Sequence, residues 1–134
     1  MKTNDIAKLL QRFEGLVHAT EGIEWWCARE LQSLLGYSDW RNFLQALDKA
    51  RESCTQAGQP PDDHFRVIER RARIGNGAER SVEDVAMTRY ACYLLAQNGD
   101  PRKEAVAFAQ TYFAVQTRRI ELIETRLQIG RAHV

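Results

Sequence analysis

Residues 28–40 read ARELQSLLGYSDW, and this stretch predicts two helices joined by a tight turn. Gly36 stands where a residue in the left-handed conformation commonly ends a helix, and Ser38 can cap the next one. The apolar residues of the first helix recur at helical spacing: Ala28, Leu31, Leu34 and Leu35. Those of the second do the same: Trp40, Phe43, Leu44, Leu47, Ala50 and Cys54. This helix-turn-helix-like unit alone is weak evidence for DNA binding, because most such pairs are only packing units.

The segment before this unit predicts a helix followed by a strand. Apolar residues recur at helical spacing from Ile6 to Val17, and the helix is expected to end near Thr20, before Gly22. The sequence IEWWC at 23–27 is short and rich in aromatic residues, which is typical of a strand.

The segment after the unit predicts a loop and a hairpin. Residues 57–63, AGQPPDD, contain two prolines that cannot continue a helix. The sequence GNG at 75–77 is a hairpin-type turn signal, and the strands on either side are expected at 71–74 and 80–87. Residues 64–70, HFRVIER, are compatible with a short helix or a strand.

Two residues can begin the helix that follows the hairpin. Ser81, with Asp84 three residues later, would start it early, whereas Thr88 would start it after the strand. Thr88 is the preferred cap because 82–87 is an apolar mixture compatible with β structure. The helix is then expected to run from Thr88 to Gln97.

The sequence QNGDP at 97–101 is a corner between two helices. Asn98 and Gly99 are expected to end the first helix in left-handed geometry. Asp100 is expected to cap the second helix, with Pro101 at its first position. Because these residues all have a backbone role, the stretch predicts a scaffold element rather than an active site.

The last predicted helix is long, running from Asp100 to Gln128 over roughly 40 Å. Its second half, 117–128, alternates charges beside a narrow apolar seam. That pattern indicates packing on another chain or on a further region of the protein. The ending at 129–134 is consistent with a truncated end or a cloning remnant.

Composition places the chain of 134 residues among single-domain globular proteins. The formal net charge of +1 indicates no general affinity for polyanions. No apolar run approaches the roughly 20 residues of a membrane span, and the N-terminus lacks a signal peptide, so a cytoplasmic location is expected. Three cysteines without a CxxC pair are expected to be buried free thiols: Cys27, Cys54 and Cys92.

No pattern predicts catalysis, a cofactor or a metal site. The histidines are scattered, and His64 beside Asp62 and Asp63 is more typical of a solvated loop than of metal ligands. The same two aspartates are the thin support for a nuclease as an alternative. We therefore expect a protein that is not an enzyme.

Arginines supply the candidate binding residues. The primary candidates lie in or beside the hairpin: Arg66, Arg70, Arg71, Arg73 and Arg80. Three further arginines are secondary candidates: Arg41, Arg118 and Arg119. These side chains could pair with phosphates or with an acidic protein surface. Glutamates interleaved among these arginines weaken the positive field. A strand edge that charge protects from aggregation is therefore about as well supported as phosphate binding.

Together the segments predict a mostly helical α+β domain of about five helices. Its small antiparallel sheet is formed by the 24–27 region and the 71–87 hairpin. Aromatic residues from the Trp25 strand, the Phe43 helix and the Phe108 helix are expected to meet in one core.

Four motifs also follow one another in a recognisable order: WWCARELQSLLGYSDWRNFLQAL (25–47), DDHF (62–65), TRYACYLLAQNGDP (88–101) and AQTYFAVQTRR (109–119). In this order they resemble the bacterial DNA damage-inducible protein D family, over about Trp25 to Arg119. A broader and fainter similarity is to the N-terminal domain of BRO-type viral and phage proteins.

The resemblance implies a non-enzymatic regulatory protein of the SOS response. Such a protein binds DNA, chiefly single-stranded DNA, or acts on recombinase (RecA) filaments, or does both. The chain would be the N-terminal BRO-like portion, a single domain at 1–134, of a longer family protein. The alternatives are a DNA-binding domain of the phage antirepressor kind and an interaction or oligomerisation domain, with a homodimer formed through the long C-terminal helix.

Overall fold

The computed structural model describes residues 3–73 and 75–132, and their side chains except those of residues 3, 117, 119–121 and 124–132. The helices are α1 Thr3–Gly15, α2 Ala28–Leu34, α3 Trp40–Gln56, a 3-10 turn Pro61–Asp63, α4 Arg89–Gln97 and α5 Glu104–Ala132. The strands are β1 His18–Thr20, β2 Ile23–Cys27, β3 Phe65–Arg73 and β4 Glu79–Met87. The predicted α+β class is confirmed, and none of the described helices is long and apolar enough to cross a membrane.

The four strands form one antiparallel sheet in the order β1-β2-β4-β3. The pairing of β2 with β4 is short and joins Trp26 to Met87 and Cys27 to Ala86. The pairing of β3 with β4 is long and runs from Phe65–Met87 to Arg73–Glu79. From Val85 towards the hairpin turn, therefore, β4 pairs with β3 alone among the described strands.

The N-terminal helix is shorter than predicted. It ends at Gly15, and His18–Thr20 forms β1 instead of a last helical turn. The reason lies in the next two residues, since Glu21 and Gly22 both have positive φ, at 54° and 80°. Two consecutive positive φ angles make the two-residue hairpin turn whose twist suits antiparallel strands. The chain thus reverses, and His18 pairs with Trp25.

The turn between α2 and α3 is as predicted at Gly36 but not at Ser38. Gly36 has φ of 80°, the left-handed conformation that glycine adopts without strain. The predicted cap at Ser38 is wrong, because Asp39 caps α3 and its carboxylate accepts the Arg41 amide at 2.8 Å. An aspartate one residue closer to the helix satisfies that free donor directly.

The hairpin is longer than predicted. Residues 65–70, left open between helix and strand, belong to β3, and β4 begins at Glu79. The turn at 75–77 lies where GNG predicts it, with Gly77 at φ of 82°. Ile74, the expected end of the first strand, lies outside the described residues.

The start of α4 confirms Thr88 as its cap, since the Thr88 hydroxyl accepts the Ala91 amide at 3.1 Å. The end of α4 differs from the prediction. Asn98 has φ of −98°, and Gly99 is not among the described residues with positive φ. Position 99 has room only for glycine, because a Cβ there would lie 2.9 Å from Cγ1 of Val106.

The last helix begins at Glu104 rather than at Asp100. The Asp100 carboxylate accepts the Arg102 amide at 3.0 Å, so it caps a separate turn that precedes α5. The apolar seam predicted for 117–128 falls mostly on side chains outside the described part. Residues 133 and 134 of the 129–134 ending also lie outside it.

One aromatic cluster joins the helices to the sheet, as predicted. The Phe13 and Trp26 rings stack with centroids 4.7 Å apart, and Phe113 packs edge-on against Phe13 at 6.0 Å. Trp26, not Trp25, is the buried aromatic residue of β2, and its indole N–H donates to the Phe13 carbonyl at 2.9 Å. Phe43 of α3 is fully buried in the same core. Each such side chain contributes about 1.5–3 kcal/mol to folding.

Candidate nucleic-acid interface

The β3–β4 hairpin carries the five primary arginine candidates and extends past its pairing with β2. We call residues 66–73 and 79–85 the ribbon. From the Val67–Val85 pair to the turn, β4 pairs with β3 alone among the described strands, whereas Arg66 lies at the base of the ribbon, opposite the Ala86 that also pairs with β2. Most of the ribbon side chains are exposed. The half-buried ones are Ile68, Arg70, Ala72 and Val82, and Asp84 and Val85 are buried at its base. The ribbon therefore presents two faces, each carrying side chains from both strands.

The five primary arginine candidates lie on this one element but on two faces. Successive residues of a strand alternate between faces, and residues opposite one another across the ladder share a face. Arg66 and Arg70 are on one face together with Arg80, which pairs with Ala72. Arg71 and Arg73 are on the other face. The five arginines therefore do not share one edge: three lie on one face of the ribbon and two on the other.

The Arg70 side chain forms ion pairs within the domain. Its Nε lies 2.9 Å from Oδ2 of Asp84, and its Nη1 lies 3.8 Å from Oε1 of Glu30. Asp84 is the one charged side chain that is buried among the residues that the structure describes. A carboxylate removed from water needs a nearby cation, and Arg70 supplies it.

Asp84 also joins the ribbon to the start of α2. Its Oδ1 accepts the amides of Arg29 at 3.0 Å and of Val85 at 2.8 Å. Its Oδ2 and the Arg70 Nε are close without a well-directed hydrogen bond, so their contact is mainly electrostatic. Asp84 therefore orients the ribbon relative to the helix-turn-helix-like unit.

The remaining ribbon arginines are available to a partner. Arg66, Arg73 and Arg80 are exposed, and none forms an ion pair within the described residues. Arg71 lies 3.6 Å from Glu79, but both side chains are largely exposed, and such a pair stabilises a protein by only about 0–1 kcal/mol. Glu69, Glu79 and Glu83 on the same ribbon reduce its net positive charge.

The secondary candidates lie on helices. Arg41 is exposed in the first turn of α3. Arg118 is exposed on α5, where Arg119 also lies, although the Arg119 side chain is outside the described part. These three arginines do not belong to the ribbon.

An open depression beside the ribbon brings together Arg70 and two arginines that the sequence did not point to, Arg12 and Arg29. Ser33 and Glu30 also line it. The Arg29 Nε donates to the Glu83 carbonyl at 2.7 Å, and its guanidinium lies 4.2 Å from the centre of the Trp40 ring. No sequence signal joins these arginines, because they come from α1, α2 and β3.

The loop considered for nuclease chemistry has another role. The His64 Nδ1 lies 2.8 Å from the Thr88 hydroxyl, which caps α4. Asp62 and Asp63 are exposed in the 3-10 turn. The histidine thus supports a helix start, and the neighbouring carboxylates face solvent.

Residues 15–114 match the model described as the BRO family, N-terminal domain. The chain belongs to the BRO family. The matched BRO region extends from the end of α1 into α5 and contains the whole ribbon.

A relative of this BRO chain is DNA damage-inducible protein D of Escherichia coli (strain K12), which is 50% identical over 103 residues. The aligned residues cover 77% of this chain and 38% of that protein, so the chain spans well under half the length of its relative. The resemblance to the DNA damage-inducible protein D family is therefore confirmed. No solved structure matches the chain.

Proposed function

We propose that this chain is a non-enzymatic regulatory module of the bacterial SOS response that binds DNA through its ribbon. The observation that carries the proposal is the two-stranded ribbon with arginines on both faces. The similarity to a DNA damage-inducible protein supports the cellular setting. The BRO match supports a regulatory rather than a catalytic role.

The shape of the ribbon suits a nucleic-acid groove. The major groove of B-DNA is about 12 Å wide and admits a two-stranded β-ribbon. Arg66 and Arg80 would then approach one wall of the groove, while Arg71 and Arg73 would approach the other. Since arginine pairs with phosphate through a planar fork of donors, this arrangement grips both strands of a duplex.

Salt dependence tests the ribbon directly. The triple variant Arg66→Gln, Arg73→Gln and Arg80→Gln leaves the Arg70–Asp84 pair in place. Its binding to labelled duplex and single-stranded oligonucleotides is measured by fluorescence anisotropy at several salt concentrations. We expect weaker binding and a salt slope that is lower by about 2–3 on duplex DNA, because each lost phosphate contact removes about 0.9 from the slope.

A matched control removes the same charge elsewhere. Lys8→Gln, Lys49→Gln and Arg102→Gln also take away three positive charges, all from exposed positions outside the ribbon. This variant should keep most of the affinity and of the salt slope. Equal weakening of both variants would show that only net charge matters, and unchanged binding of the ribbon variant would reject the ribbon as the interface.

The recombinase filament is the second target that we propose, by resemblance to the same family. Adding a recombinase filament on single-stranded DNA to the anisotropy assay separates the two partners. If the ribbon variant loses affinity for bare DNA and for filaments alike, DNA is the direct partner. If only filament binding is lost, the ribbon contacts the recombinase.

Self-association through α5 is an alternative that one observation supports. Among the α5 side chains that the structure describes, three large apolar ones are exposed: Val115, Leu122 and Ile123. Light scattering at several protein concentrations tests this alternative. A monomeric mass at every concentration, with DNA binding retained, would exclude it.

A further inference from the structure

Three side chains with metal-binding atoms converge on one side of the sheet. His18 belongs to β1, Cys27 ends β2, and Glu30 lies in the first turn of α2. The His18 Nε2 is 2.8 Å from the Glu30 Oε1 and 3.7 Å from the Cys27 Sγ. All three ligand atoms lie within 4.8 Å of one another.

We propose that His18, Cys27 and Glu30 bind one divalent transition-metal ion of the zinc type. Imidazole nitrogen, thiolate sulfur and carboxylate oxygen are the ligands that Zn²⁺ takes in proteins. Three protein ligands with a fourth position left to water or another ligand form an open site. Such an ion would join the β1–β2 hairpin to α2.

The spacing of the His18 and Cys27 ligand atoms fits a tetrahedral ion. Bond lengths of about 2.0–2.1 Å to nitrogen and 2.3 Å to sulfur place those two atoms about 3.6 Å apart. The His18 Nε2 and the Cys27 Sγ are 3.7 Å apart, close to that value. The His18–Glu30 hydrogen bond would have to lengthen by about half an ångström, a change that rotation of the Glu30 side chain can supply.

The charges around the cluster also fit. A thiolate and a carboxylate carry two negative charges, which match those of the ion, while neutral imidazole adds none. The Arg70 Nη1 lies 3.4 Å from the Cys27 Sγ, where it can donate to the thiolate, and Asp84 balances its charge. Hydrogen bonds of this kind orient metal ligands from outside the coordination sphere.

The site is rigid and accessible. The His18 ring stacks on Trp25 with centroids 4.4 Å apart, and this contact restrains its orientation. The side chains of His18 and Glu30 are 37% and 28% exposed. Glu30 and Arg70 also line the open depression described above. An ion can therefore reach His18 and Glu30 from solvent, while the buried Cys27 thiol lies behind them.

Cobalt titration tests the site. The full chain, first treated with EDTA and then freed of it, is titrated with Co²⁺. We expect one equivalent to bind, with visible bands of tetrahedral intensity and a sulfur-to-cobalt charge-transfer band. Cys27→Ser should abolish the charge-transfer band. His18→Ala and Glu30→Gln should weaken binding at least about tenfold. Cys54→Ala and His64→Gln are controls outside the cluster and should bind as the wild type does.

Thermal unfolding supplies a second measurement. Zn²⁺ should raise the Tm of the wild type relative to EDTA, because a ligand that binds only the folded state stabilises it. At the same Zn²⁺ concentration it should raise the Tm of His18→Ala and Glu30→Gln less than that of the wild type, and their Tm in EDTA also reports whether they fold. A wild type that gives no charge-transfer band, no Tm shift, or the same binding as Cys27→Ser would overturn the proposal. None of these measurements depends on DNA binding.

Discussion

The Nε of Arg70 lies 2.9 Å from Oδ2 of Asp84, which is fully buried. Arg70 reaches Asp84 diagonally across the ladder, since Val82 is its direct partner and Asp84 lies two residues further along β4. The pair holds one face of the ribbon against the start of α2. One of the five hairpin arginines therefore stabilises the fold, while the other four remain exposed.

Asp84→Ala should destabilise the chain by about 3 kcal/mol. The change leaves the Arg29 and Val85 amides without their acceptor and removes the counter-ion of Arg70. Urea unfolding measures the effect. Glu83→Ala, at the exposed neighbouring position, should change stability by less than about 0.5 kcal/mol. A loss below about 1 kcal/mol for Asp84→Ala would contradict a stabilising role of this pair.

Gly99→Ala should destabilise the chain by about 1–3 kcal/mol, because the added Cβ would lie 2.9 Å from Cγ1 of Val106. Gly75→Ala is the matched control, since nothing lies within 4 Å of a Cβ at that position. The double variant with Val106→Ala should lose less stability than the sum of the two single variants. Strict additivity would show that Val106 is not what restricts position 99.

Phe43→Ala should destabilise the chain by about 3–5 kcal/mol, because the ring is fully buried in the core. Ile23→Ala removes an exposed apolar side chain and should have little effect. Urea unfolding compares the two. At a temperature where Phe43→Ala remains folded, its DNA affinity should equal that of the wild type, since Phe43 is not on the ribbon. A lower affinity per folded molecule would contradict this separation.

The thiols of Cys54 and Cys92 should resist alkylation in the folded chain. Burial raises the pKa of both thiols above the ordinary value, and the thiolate is the reactive form. At pH 8, iodoacetamide should label both cysteines far more slowly than in denaturant, as peptide mass spectrometry can measure. Rapid native labelling of either residue would show that its thiol is not buried.

The raised pKa values of these two thiols also make the free energy of unfolding depend on pH. Unfolded thiols ionise near pH 8.5, whereas the buried ones remain neutral to higher pH. The contribution of their burial is therefore complete below that pH and falls as the pH rises further. Replacing Cys54 by Ala should reduce the alkaline loss of stability measured by urea unfolding between pH 7 and pH 10.

Local signals predicted the helices and turns that depend on one or two residues. Gly36 and Thr88 act as predicted because a left-handed glycine and a hydroxyl acceptor each act within one turn of chain. Two predictions failed because a stronger local signal stands beside the predicted one: Asp39 caps α3 in place of Ser38, and the turn at Glu21 and Gly22 reverses the chain into β1. At Gly99 a residue of the next helix decides, because Val106 packs against it.

The candidate sites show the same division. The arginines of the ribbon could be named from the sequence, because they cluster within fifteen residues. Their division between two faces follows from the register of β3 with β4. The cluster of His18, Cys27 and Glu30 was missed because no ligand spacing marks it, and only the β1–β2 hairpin brings His18 beside Cys27.

The sequence by itself determined the class of the fold, the family and the basic hairpin, because composition, capping residues and motif order are properties of neighbouring residues. The tertiary structure decided which arginine is tied to Asp84, which glycine has no room for a side chain, and which side chains converge at Cys27. These features depend on distances between residues that are not neighbours in the chain, and such distances are set only when the sheet register and the helix packing are established together.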